Sequence, residues 1–171
     1  MKKPITTIIF VLFSILSGGC SAGCDHMQER PAGQSDVIAL ACDPIPVVRV
    51  GFIGLGMRGI GAVERFMHLD SVEVVALCDL EAENLARSQA VLREKAKPEA
   101  AEYMGPEGWK RLCERPDIDL VYISTDWLSH TPMAVYAMEQ GKHVAVEVPA
   151  AVTVEECWKL VDMAEKTRRH C

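Results

Sequence analysis

Residues 47–59 read VVRVGFIGLGMRG, a β-rich run from Val47 to Ile53 that empties directly into Gly54-x-Gly56-x-x-Gly59. After a parallel strand the first glycine permits a tight turn, the second lets a pyrophosphate approach the backbone, and the third lets the next helix pack on the strand. A second β-rich run, VEVVALCD, follows a helical stretch and ends at Asp79. That acid falls about 20 residues past the turn, where a carboxylate accepts both ribose hydroxyls of an adenosine and repels a 2′-phosphate. The spacing implies a site for NAD rather than NADP; the alternative is an α/β turn that holds no ligand.

Outward from this turn, strand-like and helix-like segments alternate. Val47–Ile53 and Val72–Asp79 are extended, while Met57–Leu69 and Glu81–Lys95 are helical, with Val63, Phe66 and Met67 on one core-facing side. Residues 98–108 read as a loop and Trp109–Arg115 as a short helix. Asp119–Thr125 is a third strand whose continuous apolar run suits a sheet covered on both faces. Thr131 as N-cap and Pro132 in the first turn open a further helix that Gly141 stops. The fourth strand, His143–Val146, runs into Glu147-Val148-Pro149, where the proline bends the chain, with a cis bond as one route. The last helix starts at the capping box Thr153-x-x-Glu156 and runs to His170. Its stripe of Cys157, Leu160, Val161 and Ala164 is expected to cover a sheet face, and its pairs Glu155/Lys159, Asp162/Lys166 and Glu165/Arg169 to form a solvated face.

This alternation predicts right-handed βαβ crossovers and an α/β fold with a Rossmann-type, doubly wound parallel sheet. The strands expected number four, against the six common in that fold, so the sheet is expected to be truncated and to lack a C-terminal substrate domain. A chain of 171 residues, 49% of them hydrophobic, fills one domain's core and little more. Its net charge of −6, without a long basic run, argues against nucleic acid as a partner, because phosphate binding needs clustered Lys and Arg. Small molecules remain. No Cys/His cluster has metal-ligand spacing, so no metal site is expected. Cys78, Cys113, Cys157 and Cys171 are expected to act as small core hydrophobes, and Cys24 and Cys42 are the pair better placed for oxidation.

Met1-Lys2-Lys3 precedes an apolar stretch from Ile5 to Leu16 that is short for a membrane span, and Ser17-Gly18-Gly19 leads to Cys20. This reads as a signal peptide over residues 1–19, followed by a flexible linker over 20–46 and an incomplete NAD-binding domain over 47–171. Small residues before a cysteine resemble the lipobox of bacterial lipoproteins, with Cys20 or Cys24 as the lipidated residue; Ser17 stands where that motif prefers Leu. The expectation is export, to the periplasm or as a membrane-anchored lipoprotein. A cytoplasmic chain with a chance apolar start is the alternative.

In an open parallel sheet, ligands sit beyond the carboxyl ends of the strands. The candidates there are Gly54, Gly56, Met57, Arg58 and Gly59 after the first strand and Asp79 after the second. Trp127, Leu128, Ser129 and His130 follow the third, and Glu147 and Val148 the fourth. Backbone amides at the helix start can hold pyrophosphate, with Arg58 adding charge or facing solvent. His130 is either a structural hydrogen-bonded residue or a cofactor contact. Trp127 either stacks on the cofactor or covers the sheet end. Glu147 is an acid beside the expected cleft.

The segments VGFIGLGMRG, ALCDL, STDWLSH and GKHVAVEVPA resemble the glucose–fructose oxidoreductase and inositol dehydrogenase superfamily (Gfo/Idh/MocA) over Val47 to Cys171. More narrowly, GLGMRG with TDWLSH and EVPA is similar to glycoside hydrolase family 109, the NAD-dependent α-N-acetylgalactosaminidases. The resemblance implies NAD contacts at Met57-Arg58, Asp79, Trp127 to His130, and Glu147-Val148. It also implies a small-molecule glycoside substrate and a reaction by transient oxidation at the sugar C3, elimination, water addition and re-reduction, outside the two-carboxylate scheme. Sugar dehydrogenases of the superfamily usually show Glu-Lys-Pro where this chain has Glu147-Val148-Pro149, and a valine cannot exchange a proton. The family's substrate domain lies beyond the residues matched, so no catalytic residue is assigned. A sugar oxidoreductase and a non-catalytic NAD-binding module stand as the other readings.

Overall fold

In chain order the elements are β1 (Val48–Ile53), α1 (Met57–Phe66), β2 (Val72–Asp79), α2 (Ala82–Glu94), β3 (Ala101–Met104), α3 (Gly108–Cys113), β4 (Leu120–Ile123), α4 (Trp127–Glu139), β5 (His143–Val146) and α5 (Val154–Thr167). They come from a computed structural model that describes residues 30–171. All strand pairings are parallel and the sheet order is β3-β2-β1-β4-β5. β1 is central, with Val48 opposite Val72 on one side and Gly51 opposite Val121 on the other. The strand order reverses between β1 and β4, so the ligand crevice of such a sheet lies beyond their carboxyl ends.

Both faces of the sheet are covered. Val50, Phe52, Val74 and Leu77 pack with Val63, Leu85 and Leu92 of α1 and α2. Ile53, Ala76, Val121 and Ile123 pack with Leu112, Met138, Leu160 and Ala164 of α3, α4 and α5. Gly51 fits between the layers because a Cβ there would meet Leu112 Cδ2 at 2.7 Å. A rigid aromatic group, Phe52, Phe66 and Tyr122, with centroids 5.2 to 5.6 Å apart, fastens α1 to β1 and β4.

Several sequence expectations are corrected. The sheet has five strands rather than four: residues 101–104 of the expected loop form β3 on the outer edge of β2, with Ala76 opposite Ala101. Just ahead of it, the buried Gln89 side chain both donates to the Ala100 carbonyl (2.7 Å) and accepts from its amide (3.2 Å), imitating a strand neighbour. α4 starts at Trp127, not at Thr131, because Asp126 caps it, accepting from the Leu128 and Ser129 amides at 3.0 and 3.2 Å. Pro132 therefore lies inside the helix. Along α5, Leu160 and Ala164 are buried, but Cys157 and Val161 are exposed, as is Cys171; Cys78 and Cys113 are buried as expected. Glu165 is buried rather than solvated and accepts from Gln34 Nε2 at 2.9 Å.

The capping box of α5 is present, with Thr153 Oγ1 accepting from the Glu156 amide and Glu156 accepting from the Thr153 amide. Gly141 follows α4 at φ +78, which a side chain would disfavour. The Val148–Pro149 peptide is cis. At the outer edge of β5, the Val144 amide donates to the His170 carbonyl at 2.9 Å, covering part of that edge. In the stretch expected to be linker, Ser35 and Asp36 carbonyls accept from Arg168, and Val37 packs against the core. The expected signal peptide, Cys20 and Cys24 lie outside the described residues, and with Cys24 the proposed pairing to Cys42.

Candidate functional site

The glycine turn is built as its spacing demands. Gly54 has φ +84, and a Cβ on it would lie 2.6 Å from the Ser124 carbonyl. A Cβ on Gly59 would lie 1.9 Å from the Gly54 carbonyl, so only glycine lets α1 cross so close to the turn. Gly56 is different: a Cβ there would meet nothing within 4 Å. Neither left-handed backbone nor packing calls for glycine at this position, where the turn is open to an approaching ligand. Gly56 is the N-cap of α1 and offers its first-turn amides no side-chain acceptor. Open space, unclaimed amides and a helix dipole together suit a pyrophosphate.

Asp79, at the end of β2, does more than its spacing suggested. Its Oδ2 accepts from the Leu55 amide at 2.6 Å, tying the glycine turn to β2. Its Oδ1 accepts from the Glu81 amide at 2.9 Å and from Asn84 Nδ2 at 3.1 Å. A carboxylate has about four lone-pair sites, so room remains on Oδ2 for a ribose hydroxyl. Leu80 follows it in the chain and Met104 stands opposite it on β3, both exposed.

Beyond β4, Ser124 Oγ donates to the Gly54 carbonyl at 2.7 Å and so joins the two central strand ends. Trp127 and Leu128 are largely exposed, at 63% and 72%, and Trp127 therefore does not serve as a lid on the sheet core. Ser129 is occupied in the helix cap, its hydroxyl donating to Asp126 Oδ2 at 2.6 Å. That bond, first among several, holds the Asp126 carboxyl below its ordinary range. His130 is buried, and its Nδ1 lies 2.8 Å from the Pro149 carbonyl.

Beyond β5, Glu147 Oε1 accepts from the Tyr122 hydroxyl at 2.7 Å, and Oε2 lies 3.7 Å from Arg58. The Tyr122 bond is the chief reason the Glu147 carboxyl sits below its usual range, with Arg58 and Arg65 adding to it against the cost of burial. Glu147 is thus a fixed carboxylate at the cleft, and Arg58, three-quarters exposed, remains free to turn toward a phosphate. Val148 is 86% exposed. The structure therefore gathers Gly54, Gly56, Met57, Arg58, Gly59, Asp79, Trp127, Leu128, Glu147 and Val148 at the carboxyl ends of the strands, whereas Ser129 and His130 have their side chains turned to structural bonds. Tyr122, Ser124 and Asn84 escaped the sequence reading. Tyr122 left one signal, a hydroxyl in an otherwise apolar strand.

A separate cleft of about 310 Å³ lies at the opposite end of β2, where Glu73, Glu99 and Asp117 mix with Lys97 and Arg115. Its charges are mixed, three acids against two bases, and it is not at the ligand end of a parallel sheet. Among the described residues no group of His, Cys, Asp and Glu is placed to hold a metal ion, and no helix is long and apolar enough to cross a membrane.

A strand, a glycine turn open at its second glycine, a helix start without side-chain caps and an acid at the second strand's end define a dinucleotide-binding Rossmann domain. The model of the oxidoreductase family with an NAD-binding Rossmann fold, Gfo/Idh/MocA, matches residues 48–171, and the chain belongs to that family. It is 61% identical to the α-N-acetylgalactosaminidase of Bacteroides fragilis over 142 residues, 83% of this chain and 33% of that protein. It is also 61% identical to glycosyl hydrolase family 109 protein 1 of the same species over 165 residues, 94% of this chain and 36% of that protein. The chain thus spans about a third of the length of these curated relatives. Among solved structures it resembles myo-inositol dehydrogenase from Lactobacillus casei in complex with NAD(H) and myo-inositol, at 30% identity and a TM-score of 0.58. That match covers 68% of this chain and 33% of that one.

Proposed function

We propose that this chain is the cofactor-binding part of an exported, NAD-dependent glycosidase of the α-N-acetylgalactosaminidase type. The observation behind this reading is Val148, exposed beside Glu147 in a chain 61% identical to a protein of that name. Oxidation of a sugar hydroxyl, net or transient, needs a group beside the nicotinamide to take up its proton. Val148 cannot be that group, so the position departs from the Glu-Lys-Pro of sugar dehydrogenases and another residue takes the proton in this reading. When bound, NAD supplies a reversible hydride exchange with the sugar, and the protein's task is to place it.

The residues have distinct tasks in this reading. The amides of Met57, Arg58 and Gly59 receive the pyrophosphate, with Arg58 neutralising its charge. Asp79 accepts the adenosine ribose and repels a 2′-phosphate. With the adenosine at the end of β2, the nicotinamide half lies over β4 and β5 in this reading, where the exposed Trp127, Leu128 and Val148 offer it apolar surface. Glu147, kept ionised by Tyr122 and Arg58, orients polar groups at that end. Residues 1–19 are proposed to direct export, with Cys20 or Cys24 as a lipid anchor.

The test is hydrolysis of an aryl α-N-acetylgalactosaminide by the whole gene product, with absorbance followed for NADH. Cleavage without NADH accumulation is expected. NADH rising in step with sugar oxidation would instead establish a sugar oxidoreductase, the reading to which the myo-inositol dehydrogenase likeness points.

A further inference from the structure

Two adjacent side chains near the start of α4, both buried, reach across to the chain that follows β5. His130 is 1% exposed and Thr131 3%. His130 Nδ1 is 2.8 Å from the Pro149 carbonyl, and Thr131 Oγ1 donates to the Ala150 carbonyl at 3.0 Å. A carbonyl only accepts, so Nδ1 carries the proton. His130 Nε2 is buried without a partner, which also disfavours a proton there, since a buried N–H with no acceptor is costly. The ring thus aims one donor at one carbonyl. Successive side chains grip successive carbonyls, and the peptides they grip come directly after Glu147 and Val148. Pro149 lacks an amide of its own, so side chains of a neighbouring helix are well suited to fix the turn.

We propose that His130 and Thr131 are positioning residues for the cofactor cleft, a two-point clamp that sets where Glu147 and Val148 stand against the nicotinamide half of NAD. The clamp rests on the NAD site assigned above. It departs from a role in which the His130 ring itself touches the cofactor, because the ring is enclosed and its one donor is committed. It also explains why α4 must be capped at Asp126 and start at Trp127. A start at Trp127 places His130 and Thr131 on the buried side of the first turns, and a start at Thr131 would leave His130 in the loop before it.

The clamp acts on one half of the cleft only. Adenosine and pyrophosphate are the business of Asp79 and the glycine turn, which it does not touch. Calorimetric titration of the chain with NAD+ and, separately, with ADP therefore separates positioning from general loss of structure. His130→Leu and Thr131→Val remove the two donors, while His130→Asn keeps an N–H near the Nδ1 position and Thr131→Ser keeps the hydroxyl. The first pair is expected to weaken NAD+ about tenfold, as for a lost buried hydrogen bond, with ADP affinity unchanged; the second pair restores NAD+. Thr131→Val is nearly isosteric and keeps the test open if His130→Leu does not fold. Unchanged NAD+ affinity in the folded donor-less variants, or parallel loss of NAD+ and ADP, overturns the clamp. A parent chain that is folded and binds neither ligand overturns the NAD site itself. Nitrogen-15 NMR of the imidazole adds a ligand-free readout: the Nδ1–H tautomer is expected, and the Nε2–H tautomer contradicts the geometry.

Discussion

Gly56→Ala separates binding from folding more cleanly than any other change in the glycine turn. A Cβ at Gly56 meets nothing within 4 Å, and the residue's φ is −62, a value any amino acid adopts. Alanine is a poorer N-cap than glycine but restricts the unfolded chain, and these opposing terms leave stability within about 1 kcal/mol of the parent. The added methyl fills the space a pyrophosphate must enter. Loss of one charge-assisted bond to a helix-start amide costs about 1.5–3 kcal/mol, so NAD+ affinity falls at least about tenfold. Gly59→Ala is the opposite case: its Cβ would sit 1.9 Å from the Gly54 carbonyl, and overpacking of this kind costs about 1–3 kcal/mol or more. The paired assay is thermal unfolding and calorimetric titration on both variants. Gly56→Ala should keep its Tm and lose NAD+; Gly59→Ala should lose several degrees, at about 2–4 °C per kcal/mol. A Gly56→Ala chain that binds NAD+ as the parent does would refute the placement of the phosphate.

Asp79→Ala should narrow the preference for NAD+ over NADP+ and also lower Tm, since the Leu55 amide loses its 2.6 Å acceptor; unfolding scans and titrations with both cofactors check this. Asp126→Ala should cost about 1 kcal/mol in urea unfolding, the usual effect of removing an N-cap. Tyr122→Phe removes the hydroxyl that chiefly holds the Glu147 carboxyl down, so that carboxyl should titrate at higher pH in carbon-13 NMR. Asp119, held down first by Arg49, joins Asp126 and Glu147 with a depressed carboxyl pKa. Their contribution is fully present above the ordinary carboxylate range of about 3.9–4.3 and is lost as pH falls through the lower folded values, so acid unfolding scans should show stability declining below about pH 4.

The strand-turn-helix around Gly54, Gly56 and Gly59 was legible because each glycine answers a separate steric demand, and Asp79 because its distance from the turn is set by one βα unit. Strand β3 was not. Its four residues, Ala101–Met104, are half-buried at best, so they lack apolar alternation, and Pro98 and Gly105 mark the stretch as a loop. What makes it a strand is the free edge of β2, a tertiary fact. The start of α4 was misplaced because Thr131-Pro132 is a strong local signal, yet Asp126 supplies a better acceptor and buries His130 and Thr131. Along α5 the apolar spacing was real, but Cys157 and Val161 face outward among the described residues. Periodicity shows that a stripe exists without showing what lies against each member. Tyr122 and Asn84 are site residues only through Glu147 and Asp79, which no spacing reveals.

The central claim is that residues 48–171 fold around a site built for NAD. Calorimetric titration of the folded chain with NAD+ and with NADP+ tests it most directly. The account predicts saturable binding of NAD+ with a Kd at least about tenfold below that of NADP+, a difference of about 1.4 kcal/mol set by the Asp79 carboxylate. Equal affinities, or no heat from either cofactor with a chain that unfolds cooperatively, would contradict it.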